Sequence, residues 1–537
     1  MDDTRDEADH RVPSGTPQEV RERVDRPGRT PSFDPTLGID VDRPAPADTP
    51  PHRLVALGDS LTHGFQSGAV FATDLSYPAI IAHELGWSDS YRYPRYGGPG
   101  GGLPLNLEFL LRELEKRYGR DLSPWELPLA LFRARSWMDG VEDYWERGPG
   151  RVAPVVRAYN HALAVYGWDL RDALSQTAAG CEAAVATPKD DLLSQVVENH
   201  AQHAALHVYP HWSKQTSQQT LLDAAKALGE QGAAAGDPGI ETLIVFLGAN
   251  NCLGSVTRLK VVWSGEDFQD LTAKNAYTVW QPEHFRIEYA ELVRAVEQVN
   301  ARHVIWCTVP HVTIAPVARG LGSKTMPGSR YFPYYSRPWI AASAFNPAQD
   351  EHITGPEARA VDAAIDLYNE AIEGHVRRGR EAGRDWYLLD IAGLLDRLAS
   401  RRYIDDPNAR PSWWTPYPLP PSLAALNPVP DSRFLTGDGK GGRATGGLFS
   451  LDGVHPTTLC YGMIAQEMVN IMRLAGVEFL LGGGALRTDP VSVDFERLLL
   501  RDTLVRHPPQ LLRSSLDILG WADQTLDWVR KALRFKA

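Results

Sequence analysis

Cysteine is scarce in this chain: Cys181, Cys252, Cys307 and Cys460 are the only four in 537 residues, and they stand singly. No paired metal spacing is present, so neither a structural metal nor any other cofactor is expected. Cys307 falls in a strand-like apolar run and Cys460 in a helix-like one, and both read as small buried hydrophobes. Basic charge is also short, with 55 Lys and Arg against 67 Asp and Glu and a net charge of -12. That balance disfavours nucleic acid or an anionic membrane as a general partner. No apolar run approaches the length of a transmembrane helix. Met1 to His10 lacks the basic start and apolar core of a signal peptide. The expected location is therefore a reducing cytoplasm, unless the start site is misplaced. No repeat period is apparent. What is there is ordinary for a globular protein: 43% hydrophobic and 23% charged residues.

The strongest local signal lies at Val55 to Gly64. Three apolar residues, Val55 to Leu57, end a strand-like run, Gly58 breaks it, and Ser60 follows. A hydroxyl there sits at the C-terminal lip of a strand, where open α/β sheets place reacting groups. Backbone N–H groups beside such a turn can face a developing oxyanion. Taken alone, the serine also reads as an N-cap. Two distant stretches shift the balance. Leu243 to Asn251 is another apolar run that ends in glycine and asparagine, and Ser450 to Pro456 places Asp452 three residues before His455.

Gly58-Asp59-Ser60-Leu61, Gly248-Ala249-Asn250-Asn251 and Asp452-Gly453-Val454-His455-Pro456 occur in that order. Together they resemble the sequence blocks of the GDSL esterase/lipase family, the SGNH hydrolases. The resemblance implies a serine hydrolase that cleaves carboxylic esters. Ser60 would be the nucleophile, His455 the base and Asp452 its orienting carboxylate. The oxyanion hole would combine the Ser60 N–H, the Asn250 side-chain amide and one glycine N–H from the loop 97–102. Gly100 is the choice there, with Gly98, Gly101 and Gly102 as alternatives. The other reading of that loop is a turn whose glycines only permit unusual backbone angles. Asn251 stands where the family usually has Asp, which concerns turn geometry and not the chemistry. Asp59 is expected to brace the turn.

These residue types suit the reaction. A serine hydroxyl is a weak nucleophile and needs an adjacent base. An imidazole titrates near neutrality and can serve, and a carboxylate on its other nitrogen fixes the tautomer. An acyltransferase would use the same acyl-enzyme with an alcohol in place of water. A non-catalytic binding protein on the same fold is the third reading, against which the intact Ser, His and Asp set argues. The substrate expected is a small-molecule or lipid ester.

Strand–helix alternation argues for a three-layer α/β/α sandwich with a mostly parallel sheet. Strands are expected at 53–57, 242–247, 302–310 and 386–391, with helices at 76–85, 105–114, 285–300 and 356–382 and another after His455. Residues 1–50 read as a disordered or loosely attached tail, 51–478 as the hydrolase domain, and 479–537 as a helical appendage. Residues 103–240 read as a helical insertion with helices near 151–166, 190–207 and 216–230. His200, His203 and His207 fall at helical spacing there, and a solvated polar face is preferred over a metal site. The aromatic, Pro-rich segments 321–350 and 405–434 either cover an acyl pocket or pack on the surface. In the appendage, Leu512, Leu516 and Leu519 share one face, and Leu526, Val529 and Leu533 another. Packing on the parent domain is preferred there over a peripheral membrane or self-association element.

Overall fold

Five apolar runs set the architecture of the computed structural model, which describes residues 12–42, 48–123, 125–186, 196–481 and 484–511. They form β1 (His52–Gly58), β2 (Ala162–Ala164), β3 (Ile240–Phe246), β4 (Ala301–Cys307) and β5 (Trp386–Leu389). The strands lie side by side in the order β5-β4-β3-β1-β2, and every pairing is parallel. Every residue of β1 and β3 is buried. Parallel strands covered on both faces need such near-continuous apolar runs. Gly58 pairs with Ala164 on one side and Phe246 on the other, so the end of β1 lies between the ends of β2 and β3.

Nine helices matter below. They are α1 (Gln18–Val24), α2 (Ser60–His63), α3 (Tyr77–Glu84), α4 (Leu127–Glu146), α5 (Leu170–Ser175), α6 (Leu221–Gly229), α7 (Pro282–Val296), α8 (Gly355–Glu381) and α9 (Thr458–Leu474). The sheet is flanked by helices in two groups. One group is α3 with α9, which touch β1 and β5; the other is α6, α7 and α8. The 27-residue α8 starts on a capping box in which Thr354 and Glu357 satisfy each other's backbone N–H, with Pro356 in the first turn.

Three sequence expectations are corrected. First, 103–240 is not simply an insertion, because β2 of the central sheet lies inside it, in a stretch expected as helix. Ala-Leu-Ala favours helix and three residues carry no period, but pairing with Ala56, Leu57 and Gly58 overrides propensity. Second, residues 12–42 are not loosely attached. Val20 and Val24 of α1 are buried, and α1 lies on α8. Arg23 Nη2 reaches Asp366 at 3.1 Å, Arg29 pairs with Asp390, and Ser32 N–H donates to Asp390 at 2.8 Å. Charge-assisted bonds to buried carboxylates supply what a polar segment cannot gain from apolar burial. Third, His200 and His203 are buried, not solvated. His200 faces the Tyr166 hydroxyl at 3.0 Å, and burial lowers His203 and His207 to about 4, leaving them neutral.

The start of the C-terminal region belongs to the domain surface. Leu498 and Phe495 press on Gly462 of α9, and Arg487 pairs with Glu84 of α3 at 2.6 Å. Leu512, Leu516, Leu519, Leu526, Val529 and Leu533 lie outside the described residues. Segment 321–350 contributes to a small antiparallel sheet of Arg319–Leu321, Tyr334–Ser336 and Ile353–Thr354. In segment 405–434, Trp414 is buried and its indole N–H donates to the Asp396 carbonyl at 2.9 Å. Among the described residues no helix is long and apolar enough to cross a membrane.

Candidate active site

Ser60 opens α2 two residues after β1 ends. The turn is tight enough to require glycine, since a Cβ on Gly58 would lie 1.9 Å from Thr62 Oγ1. Asp59 is the N-cap and accepts the Leu61 N–H at 3.0 Å, which is the bracing role expected of it. Its other oxygen is buried with no partner among the described residues, and burial raises its pKa to about 7.

His455 arrives from the other end of the chain, immediately before α9. Its Nε2 lies 2.9 Å from Ser60 Oγ, and its Nδ1 lies 3.0 Å from Asp452 Oδ2. All three side chains are buried, and the Phe65 ring packs 4.4 Å from the imidazole. Asp452 Oδ1 accepts the N–H groups of Val454 and His455, both at 2.9 Å, and Oδ2 accepts the Gly68 N–H at 2.9 Å. Burial pushes this carboxyl up. The opposing charge and hydrogen bond of His455 and these backbone donors outweigh it and hold the pKa below the usual value. An ionised Asp452 on Nδ1 selects the tautomer with Nδ1–H, which makes Nε2 the acceptor for the Ser60 hydroxyl.

A hairpin fixes this loop. Phe65–Gln66 and Ala69–Val70 pair around Ser67 and Gly68, both at positive φ. The tip grips the 450–455 segment, since Ser67 N–H donates to Ser450 Oγ at 2.9 Å and Gly68 N–H to Asp452. The chain following Ser60 thus holds Asp452 and, through it, His455.

Asn250 lies beyond the end of β3, where its Nδ2 donates to the Trp168 carbonyl at 2.9 Å and keeps a second N–H. Asn251 is fully buried and its Oδ1 accepts from Leu170 N–H at 3.3 Å, so it fixes the start of α5. The sheet order puts the exits of β1 and β3 at the point where the strand order reverses, the usual crevice of an open α/β sheet.

The glycine loop packs against α4. A Cβ on Gly100 would lie 2.4 Å from Val141 of α4, and one on Gly98 2.5 Å from Tyr144. The loop is bonded within itself, Gly101 N–H to Gly98 O, and to Trp145 through Gly102 O. Gly100 is therefore a packing glycine against α4. Gly167, three residues after Ala164 at the exit of β2, has φ +80. Its N–H has no acceptor among the described residues. The signal for it was the run Ala162 to Tyr166 ending in glycine, the same pattern that marks Gly58 and Gly248.

His63 was also missed. It accepts the Tyr166 N–H on Nδ1 at 3.2 Å, so Nε2 carries the proton and donates to Tyr96 Oη at 2.7 Å, which donates to Ala204 O at 2.9 Å. Burial lowers its pKa to about 3, so the ring is neutral. It ties the β2 exit to the helix that starts with Ser60.

Among the described residues no group of His, Cys, Asp and Glu could hold a metal ion. No protein-family model matches the chain, and no curated protein is significantly similar to it.

Proposed function

We propose that this protein is a GDSL-type serine hydrolase of the SGNH kind that cleaves carboxylic esters through an acyl-enzyme on Ser60. The observation that carries the reading is the hydrogen-bonded chain from Ser60 Oγ through His455 to Asp452 at the strand-order reversal. His455 takes the serine proton as Oγ attacks the ester carbonyl, and Asp452 stabilises the resulting imidazolium. His455 then protonates the departing alkoxide, and the same base activates the water that releases the acid. We assign the oxyanion donors to Ser60 N–H, Asn250 Nδ2 and Gly167 N–H, with Gly167 replacing Gly100. Donors fixed in advance act on charge that appears only in the transition state.

A fluorophosphonate probe tests the assignment. Intact-mass analysis should show one adduct on the wild type and none on Ser60→Ala, and the variant should lose p-nitrophenyl ester turnover. Labelling and turnover by Ser60→Ala would reject the nucleophile.

A further inference from the structure

The segments that follow β4 and β5 enclose a cavity of about 420 Å³ whose wall is strongly one-sided in charge. Arg319, Arg330, Arg401, Arg402 and Arg433 line it, with no Asp or Glu. Two of the five are neutralised from behind the wall. Arg402 pairs with Asp362 at 2.8 Å, and Arg433 pairs with Asp405 at 2.7 Å and Asp431 at 2.5 Å.

Arg319 and Arg401 have no carboxylate within ion-pair distance among the described residues. Arg319 Nη2 donates to the Ile340 carbonyl at 2.5 Å, and its Nε is buried with no partner among the described residues. Arg401 Nη1 donates to the Gly320 carbonyl at 2.6 Å, and its guanidinium lies 4.6 Å from the Phe332 ring centre. Backbone carbonyls and a ring face orient these groups without cancelling their charge. Burial lowers the pKa of both; for Arg401 the charges of Arg319 and Arg433 lower it further, and Tyr335 and Asp405 offset part of that. Two oriented, half-buried guanidiniums with no carboxylate in ion-pair contact form a fork suited to an oxyanion.

We propose that this cavity binds an anionic group, phosphate or carboxylate, between Arg319 and Arg401. The site borders the catalytic loop. Pro316, Ala318 and Phe434 line it, and Val317 N–H between the first two donates to Gly453 O at 2.9 Å. Gly453 stands between Asp452 and His455, where a Cβ would lie 3.0 Å from the Phe434 ring. The anion is either a charged part of the ester itself or a free ion acting on the loop.

Binding is tested first without catalysis. Ser60→Ala is titrated with inorganic phosphate and with succinate by calorimetry at constant ionic strength, against a chloride control. Saturable binding is expected. It should weaken roughly tenfold to a hundredfold in Arg319→Gln and Arg401→Gln, each checked for folding by circular dichroism. Ala342→Glu leaves both arginines in place and sets a carboxylate on the exposed rim, and it should weaken binding as well. No binding beyond the chloride control, or binding as tight as that of the parent in Ala342→Glu and the arginine variants, overturns the proposal. Turnover then separates the sources. Phosphate that competes only against esters bearing a carboxylate or phosphate marks a substrate subsite. Phosphate that changes turnover of a neutral ester marks an effector site. The calorimetric result stands whether or not Ser60 is the nucleophile.

Discussion

Replacing Asp452 by Asn removes one charge and keeps the shape, so the effect follows from hydrogen-bond directions alone. The amide has two orientations. With Nδ2 at the position of Oδ1 it would face the N–H groups of Val454 and His455, leaving two donors unpaired. With Nδ2 at Oδ2 it opposes only the Gly68 N–H, so this orientation is preferred. Nδ2 then donates to His455 Nδ1, the ring proton moves to Nε2, and Nε2 meets Ser60 as a donor at 2.9 Å. A ring protonated on that nitrogen cannot accept the serine proton. The expected loss in kcat is about ten-thousandfold, or about 5 kcal/mol. The orphaned Gly68 N–H should cost roughly 1–3 kcal/mol of stability. Asp452 has a folded-state pKa below its unfolded value, so its stabilisation is present above that unfolded value, about pH 4. It is lost as the pH falls through the folded value, and the wild-type advantage in urea midpoint should shrink accordingly. Initial rates on p-nitrophenyl butyrate and urea melts from pH 3 to 8 measure both. A folded Asp452→Asn that keeps kcat within tenfold of wild type would refute the tautomer argument.

Asn250→Ala should lower kcat by roughly a hundred- to a thousandfold with little change in KM, whereas Asn251→Ala, which loses the bond to Leu170 N–H, should show its cost in urea melts. Gly167→Ala, forced to φ +80, should lower kcat by roughly tenfold or more, while Gly100→Ala should cost stability through its clash with Val141; the reverse pattern would return the oxyanion donor to the 97–102 loop. His311 has Asp396 at 3.1 Å on Nδ1 and Asp366 at 3.2 Å on Nε2, so both nitrogens must donate and the ring is cationic. Burial lowers its pKa, but the charges of Asp396 and Asp362 and bonds to Asp366 and Asp396 raise it to about 10. Because this exceeds the unfolded value of about 6.5, the stabilisation is full below that pH and drains as pH rises to about 10; urea midpoints should fall over that window, and less so in His311→Gln.

The strands that could be read from sequence are those long enough to carry a signal. β1 and β3 have seven residues each, all buried, and their apolar runs cannot be mistaken for a half-exposed helix face. β2 has three residues, two of them alanine, and owes its conformation to pairing with the end of β1. The proposed glycine donor is hidden with it, since Gly167 is recognisable only once Ala162 to Ala164 is known to be a strand. The N-terminal segment failed for a related reason. Composition reports apolar burial, but Arg23 and Arg29 are held by Asp366 and Asp390 from regions more than 300 residues away. No local pattern announces such partners.

The site also shows why three short motifs could be found and a fourth element could not. Three adjacent strand exits, from β3, β1 and β2, each run into a glycine that the backbone needs. Gly248 has φ +124, Gly58 meets Thr62, and Gly167 has φ +80. Two residues beyond each glycine stands a polar side chain: Asn250, Ser60 and Asp169. Asp169 has a different task. It caps α5 through Asp172 N–H and, with Asp172, holds the buried Lys274, whose Nζ lies 2.5 and 2.9 Å from the two carboxylates. A buried charge so paired is costly to break, which pins the α5 end of the loop carrying Gly167 and Trp168. Trp168 O in turn accepts from Asn250 Nδ2. What the exit of β2 offers is therefore backbone: the carbonyl of Trp168, which Asn250 uses, and the N–H of Gly167, proposed as the third oxyanion donor. Side-chain motifs in a sequence report the other two exits and are blind to this one, because any residue could supply the carbonyl and only the strand pairing reveals the N–H.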